Sequence, residues 1–187
     1  LRIQAAADEF REMFVTVHKL DKPFTSFPDY AASEKTIAAH PIHLDVAMAT
    51  RSVPNPHRKM IPGTRTITVT TGTNLSYETR SIRVRAGEAI AFTLSNPDVV
   101  PHNWVLVKPN ALEAIGMLAD RAVSDPDVAL RHYIPESTDV LAYTDVVPSG
   151  SEFTIYFRAP AEPGHYPYLC TFPGHWKVMN GVMTVDP

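Results

Sequence analysis

The sequence is poor in cysteine and glycine, and it has no long hydrophobic run. Its single cysteine, Cys170, excludes an internal disulfide, so cysteine usage gives no direct sign of an oxidising compartment. No stretch of about 18 apolar residues is present, so no membrane-spanning helix is expected. The net charge is only -3, and no basic cluster alternates with aromatic residues. This charge pattern argues against a nucleic-acid partner.

The chain is rich in proline, with 17 residues, and its apolar fraction of 44% suffices for a globular core. The composition changes near residue 63, which predicts an N-terminal extension at 1–63 and a main domain at 64–187. Part of the extension is predicted to be helical, because apolar residues from Ile3 to Val17 share one helical face. An extended run at 15–17 is the alternative. The proline-rich segment 52–63 is predicted to be a linker or a strap over a surface.

After residue 63 the apolar residues alternate with a period of two. Ile82 and Val84, for example, share a face opposite to Arg83 and Arg85. Eight such runs are present, at 64–72, 81–88, 89–97, 102–109, 139–147, 152–160, 165–170 and 181–185. One helical segment, 110–133, interrupts them. This pattern predicts an all-β protein, a Greek-key β-sandwich of about eight strands with a helical insertion.

The stretch "YLCTFPGHWKVMNG", residues 168–181, places a thiol, an imidazole and a thioether in one loop, as Cys170, His175 and Met179. These soft or borderline ligands suit copper, and a blue-copper site needs a second histidine. The segment "VVPHNWVLV" supplies His102. Alternation places His102 on the same face of its strand as Trp104 and Leu106, pointing inward.

The motif C-T-F-P-G-H-x-x-x-M, together with H-N-W-V-L, resembles the azurins and the related auracyanins of the cupredoxin family. The resemblance covers residues 64–187 and implies one type 1 copper ion. It makes the helical insertion similar to the azurin flap. The implied copper ligands are Cys170, His102 and His175 in the equatorial positions, Met179 as the long axial ligand, and the Pro101 carbonyl as a weak opposite contact.

The resemblance also implies roles for three residues around the ligands. Backbone N–H groups of Asn103 and Phe172 would point at the Cys170 sulfur, and the side chains of Asn103 and Thr171 would tie the two ligand loops together. The sequence departs from azurins in two respects. Pro101 stands where azurins have glycine, and the azurin disulfide has no counterpart.

The expected function is single-electron transport by copper cycling between Cu(II) and Cu(I), either alone or as a module of a larger redox protein. The chain would not be an enzyme. The resemblance implies a redox partner, such as a c-type cytochrome or another domain of a parent protein, and a bacterial periplasmic or other extracytoplasmic location. The alternatives are copper storage or delivery, and a copper-binding domain of a multicopper enzyme. The enzyme alternative needs additional histidine clusters, often His-x-His, and the sequence has none.

Three further features have two interpretations each. Trp176 follows His175 and either packs locally or joins an apolar docking patch with Met117 and Leu118. His40 and His43, with Asp45, are either surface residues or a second metal site. Trp104 is interpreted as a core residue rather than an electron relay.

Overall fold

The computed structural model describes the strand residues 2–4 and 10–12, and then residues 54–187. Strands β1 (Arg2–Gln4) and β2 (Phe10–Glu12) pair antiparallel, with Arg2 opposite Glu12. The predicted helix is therefore wrong at these residues. Short apolar segments fit a helical and an extended period about equally well, and pairing decides between them. The rest of that predicted helix lies outside the described residues, as do His40, His43 and Asp45.

Residues 54–187 form two β-sheets. Their strands are β3 (Arg65–Gly72), β4 (Ser76–Tyr77), β5 (Ser81–Arg85), β6 (Ala89–Asn96), β7 (Val105–Val107), β8 (Val140–Tyr143), β9 (Ser151–Arg158), β10 (Gly164–Leu169) and β11 (Asn180–Asp186). One sheet has the order β5-β11-β10-β7-β8 and the other β4-β3-β6-β9. The pairs β3–β6 and β5–β11 are parallel, and the other pairs are antiparallel.

All eight predicted runs contain a strand, and the predicted β-sandwich is confirmed. The structure adds β4, whose two residues are too few to show a period. It also shortens the run that was predicted to begin at His102. That residue forms an isolated antiparallel bridge with Val147, and the regular ladder begins only at Val105.

The core lies between the inner faces of the two sheets. Phe92 of β6 stacks on Trp104 with ring centroids 4.0 Å apart, so aromatic rings from both layers meet at the centre. Ile82 and Val84 are buried, whereas Arg83 and Arg85 of the same strand are exposed. Both the alternation and the assignment of Trp104 to the core therefore agree with the sequence analysis.

The outer face of β7 is covered by helix α1 (Leu112–Ala122). Ile115 of the helix is buried in a second apolar cluster with Val105, Val107 and Leu169. Ile115, Gly116 and Ala119 form the buried face of the helix, and Leu118 is 36% exposed. A 3-10 turn at Ala129–Arg131 follows. Within residues 54–187, no helix combines the length and the apolarity needed to cross a membrane.

The proline-rich segment before β3 lies against the sandwich, as expected for a strap. The Asn55 amide donates to the Tyr143 carbonyl at 3.2 Å and to the Asp145 carboxylate at 2.9 Å. Arg58 donates to the Thr154 carbonyl at 3.1 Å and stacks over the Phe153 ring at 4.7 Å. These contacts connect the segment to β9 and to the end of β8.

Candidate metal centre

The strand register explains why three distant residues meet at one end of the sandwich. Leu169, the last residue of β10, lies opposite Val105, the first of β7, and opposite Asn180, the first of β11. The segments just beyond these strand ends therefore share one pole. His102 lies before β7, Cys170 after β10, and His175 in the connection to β11.

The three side chains form a compact, buried set of ligand atoms. The Nδ1 atoms of His102 and His175 are 3.2 Å apart, and the Cys170 Sγ lies 3.9 Å from the first and 3.5 Å from the second. The point equidistant from the three atoms is about 2.1 Å from each, close to metal bond lengths of about 2.0–2.3 Å for imidazole nitrogen and thiolate sulfur. The donor set therefore fits a single ion, and its softness fits copper. Among the residues the structure describes, this is the one such cluster of potential ligands.

Burial controls the protonation of all three groups. It raises the pKa of the Cys170 thiol to about 12, although the backbone N–H groups of Asn103 and Phe172 oppose the shift. Burial lowers the pKa of His175 to about 4, and the neighbouring His102 adds to that shift. Burial also lowers the pKa of His102, although the hydrogen bond that its ring makes to the Asp98 carboxylate opposes the shift. The imidazoles are therefore neutral near pH 7, and a metal must displace the thiol proton as it binds.

The connection between β10 and β11 folds back on itself, which brings Cys170 and His175 together. The Cys170 N–H donates to the Met179 carbonyl at 3.0 Å, and the Met179 N–H donates to the His175 carbonyl at 2.9 Å. Gly174 has a φ of 81°, a conformation that favours glycine at this turn. Met179, four residues after His175, is fully buried, and Pro101, directly before His102 in the sequence, is buried as well.

The two ligand loops are joined by Asn103 and Thr171. The Asn103 Nδ2 donates to the Thr171 Oγ1 at 2.9 Å, and the Thr171 N–H donates to the Asn103 Oδ1 at 2.8 Å. The same Nδ2 donates to the His132 carbonyl at 3.0 Å, so the segment after α1 is held to the site as well. Phe172 lies between the rings of Tyr133 and His175, with centroids 5.0 and 5.1 Å away.

Trp176 packs locally, which supports the first of its two interpretations. Its side chain is 8% exposed, and its indole N–H donates to the Asp120 carboxylate at 3.0 Å. The ring covers Gly116 so closely that a Cβ atom there would overlap it. Helix α1 therefore holds the ligand loop at the residue that follows His175. Met117 of the same helix is 45% exposed.

One residue that touches the cluster was not predicted from the sequence. The Asp98 Oδ2 lies 3.1 Å from the His102 Nε2, on the opposite side of the ring from Cys170. The available signal was an acidic residue four positions before a candidate ligand, in the turn-forming segment "NPDVVPH". Asp98 and His102 come into contact only because the chain turns back between them.

The fold and the site together define a mononuclear copper protein of the β-sandwich type. Comparison with known proteins gives the family. A sequence model of copper-binding proteins of the plastocyanin/azurin family matches residues 64–186, so the chain belongs to that family. Its azurin and auracyanin relatives are electron-transfer proteins and not enzymes, and the chain shares that functional class.

Individual relatives agree with this placement. Auracyanin-B of Chloroflexus aurantiacus is 39% identical over 89 residues, which are 47% of this chain and 37% of that protein. Azurin iso-2 of Methylomonas sp. strain J is 30% identical over 128 residues, 64% of this chain and 95% of that protein. The solved structure of auracyanin A, described as a "blue" copper protein from Chloroflexus aurantiacus, superposes with a TM-score of 0.59 at 31% identity, covering 66% of this chain and all of that one.

Proposed function

We propose that this chain carries single electrons through one copper ion held by His102, Cys170 and His175. The observation that supports this most directly is the set of three buried ligand atoms, all within 4.8 Å of one another. Met179 is proposed as the long axial ligand and the Pro101 carbonyl as a weak contact opposite it. Copper, when bound, would supply the one-electron couple between Cu(II) and Cu(I).

The surrounding residues suit electron transfer because they hold the ligands in a fixed arrangement. Asn103 and Thr171 join the two ligand loops through reciprocal hydrogen bonds. The backbone N–H groups of Asn103 and Phe172, which lower the pKa of Cys170, stabilise negative charge on its sulfur. A site that moves little between oxidation states has a small reorganisation cost, and these contacts limit movement.

Electrons are proposed to enter and leave through His175. This ring belongs to a surface loop and is 7% exposed, whereas His102 is fully buried. Met117 and Leu118 of α1, and Val178 of the loop, present exposed apolar side chains. They would suit brief docking of a redox partner, such as a c-type cytochrome or another domain of a parent protein, since electron-transfer interfaces are small. An extracytoplasmic, periplasmic location is proposed on the family relationship.

The test is to add Cu(II) to the metal-free protein and record visible and EPR spectra beside the Cys170→Ser variant. Intense blue absorption with narrow copper hyperfine splitting is expected, and the variant should lose both because the thiolate–copper bond produces them. One copper per chain and a reversible one-electron wave in voltammetry are expected for a carrier. A pale spectrum that does not depend on Cys170 would contradict the proposal. Two or more coppers per chain would favour a multicopper enzyme, and a blue protein without a reversible wave would favour copper storage.

A further inference from the structure

Asp98 places a carboxylate behind the buried metal-ligand histidine. Its Oδ2 is 3.1 Å from the His102 Nε2, while the Nδ1 of the same ring faces Cys170 and His175. His102 is fully buried, and the Asp98 side chain is only 10% exposed. The ring therefore lies between a negative charge on one side and the proposed copper position on the other.

The Asp98 carboxylate is held in this orientation by its own loop. Its Oδ1 accepts the Val99 N–H at 2.7 Å, which leaves Oδ2 for His102. The Asp98 N–H donates to the Asn96 Oδ1 at 3.1 Å. Asn96 is itself buried, and its amide donates to the Val147 carbonyl at 2.8 Å. The Val147 carbonyl also accepts the His102 N–H, so the carboxylate and the imidazole share one backbone anchor.

This hydrogen bond fixes the tautomer of His102. An ionised carboxylate can only accept, so the Nε2 must carry the hydrogen and the Nδ1 must keep its lone pair. That is the tautomer needed to bind a metal through Nδ1. Metal-binding histidines commonly donate their other N–H to a carboxylate or carbonyl, which orients the ring and raises its basicity.

We propose that Asp98 is a positioning residue that orients His102 toward the metal and biases the site toward Cu(II). This inference rests on the proposed copper function. A fixed negative charge beside a ligand favours the metal ion of higher charge. Because the site is shielded from solvent, water and salt screen this interaction only weakly. Asp98 therefore lowers the reduction potential. Within residues 54–187, no carboxylate forms a hydrogen bond with the His175 ring, so the two histidines differ in this respect.

Two variants remove the Asp98 charge and its contact with His102 while changing the rest of the loop as little as possible. Asp98→Asn keeps the shape but removes the charge, and its one amide oxygen cannot serve both Val99 N–H and His102 Nε2–H. Asp98→Ser keeps a short acceptor next to Val99 but is too short to reach the imidazole. The matched control is Asp186→Asn, which removes an equal charge at the far end of β11, where Asp186 pairs with Arg83.

The experiment measures Cu(II) affinity by chelator competition and the reduction potential by voltammetry in all four proteins. Both Asp98 variants are expected to lose about 10–100-fold in Cu(II) affinity, as is typical when such a partner of a metal ligand is removed. The loss of Cu(I) affinity should be smaller. Each tenfold difference between the two losses raises the potential by about 59 mV. Asp186→Asn should leave both quantities nearly unchanged.

Three outcomes are informative. A blue wild-type protein whose affinity and potential are unchanged by either Asp98 variant would overturn this inference and leave the electron-carrier function intact. An equal shift in Asp186→Asn would also overturn it, because the effect would then reflect net charge alone. A wild-type protein without a Cys170-dependent blue band would instead refute the proposed function itself. The two Asp98 variants are independent measurements, so loss of fold in one leaves the other decisive.

Discussion

At the scale of single residues, Asn103 stabilises the site through hydrogen bonds, although its side chain is uncharged and is not proposed to bind the metal. Its amide forms three hydrogen bonds: it donates to the Thr171 hydroxyl and to the His132 carbonyl, and it accepts the Thr171 backbone N–H. All of these groups are buried, so water cannot replace the lost partners. Asn103 therefore links three segments that are distant in sequence: the start of β7, the ligand loop and the chain after α1.

Removing this side chain should destabilise the metal-free protein. We expect Asn103→Ala to lower the free energy of unfolding by roughly 2–4 kcal/mol, because leaving a buried donor such as the Thr171 N–H unpaired costs about 1–3 kcal/mol. Thr171→Val removes only the hydroxyl and should cost about 1 kcal/mol. Urea unfolding of the three proteins measures the difference. Equal losses in the two variants would show that the hydroxyl alone matters.

The residues of the site divide into those that the sequence predicts and those that it does not. The ligand types, their order and their spacing led to His102, Cys170 and His175, and the structure brings these three together. Asp98 and Asp120 were not predicted, because each makes its contact through a turn or across elements. Nothing in the local pattern distinguishes such carboxylates from ordinary surface residues.

At the scale of elements, helix α1 fixes the position of the ligand loop. Gly116 allows the Trp176 ring to lie directly on the helix backbone, and Asp120 accepts the indole N–H one turn later. The helix also covers Val105 and Val107, the outer face of the strand that follows His102. One element therefore supports both ligand segments from the same side.

A methyl group at Gly116 should disturb this contact. Alanine at an exposed helix position would stabilise the helix by about 0.5–1 kcal/mol over glycine, but here its Cβ would overlap the indole ring. We expect Gly116→Ala to lower the free energy of unfolding by about 1–3 kcal/mol, as overpacking does, and to alter the copper EPR spectrum through His175.

The control for that prediction is a double-mutant cycle with Trp176→Ala. In that background, Gly116→Ala should cost nothing or should stabilise, because the ring that it would displace is absent. Denaturant unfolding of the four proteins gives the coupling. A Gly116→Ala loss that persists without Trp176 would place its cause elsewhere.

The strands were predicted well because their alternation reflects one buried and one solvated face, as in β5. Prediction failed where that relation is weak. The two residues of β4 are too few to alternate. The run that contains β7 was predicted but begins three residues later than expected, and both faces of β7 are buried, one by the core and one by α1. The helix predicted from Ile3 to Val17 was wrong where that segment overlaps the strands at 2–4 and 10–12. There the pairing of the two strands prevailed over a helical pattern of apolar residues.

At the scale of the whole sandwich, charged residues connect the two sheets at the pole opposite the metal centre. The Arg65 guanidinium of β3 donates to the Glu88 carboxylate and to the Arg83 carbonyl of β5, each at 2.7 Å. The Glu88 carboxylate also accepts the Arg85 N–H at 2.8 Å. These contacts join a strand of the four-stranded sheet to one of the five-stranded sheet, at the end where β5 and β11 finish.

This arrangement predicts a pH dependence that is independent of the metal. The hydrogen bond from Arg65 lowers the pKa of Glu88, and the Arg85 N–H adds to the effect. A carboxyl group with a lower pKa in the folded state contributes stability above its ordinary pKa and loses that stability as the pH falls through the lowered value. Both side chains are partly exposed, so the contribution is small, below about 1 kcal/mol.

The difference in free energy of unfolding between wild type and Glu88→Gln should therefore be present at neutral pH and disappear as the protein is acidified below the ordinary carboxyl range. Urea titrations across that range, with the exposed Glu152→Gln of β9 as control, measure it. Because Glu88 and the ligands lie at opposite ends of β11, the blue absorption and the reduction potential should be the same in Glu88→Gln and wild type. A shifted potential in this variant would mean that the two poles are coupled through the sandwich, and a difference in stability that persists in acid would mean that Glu88 acts through packing rather than through its charge.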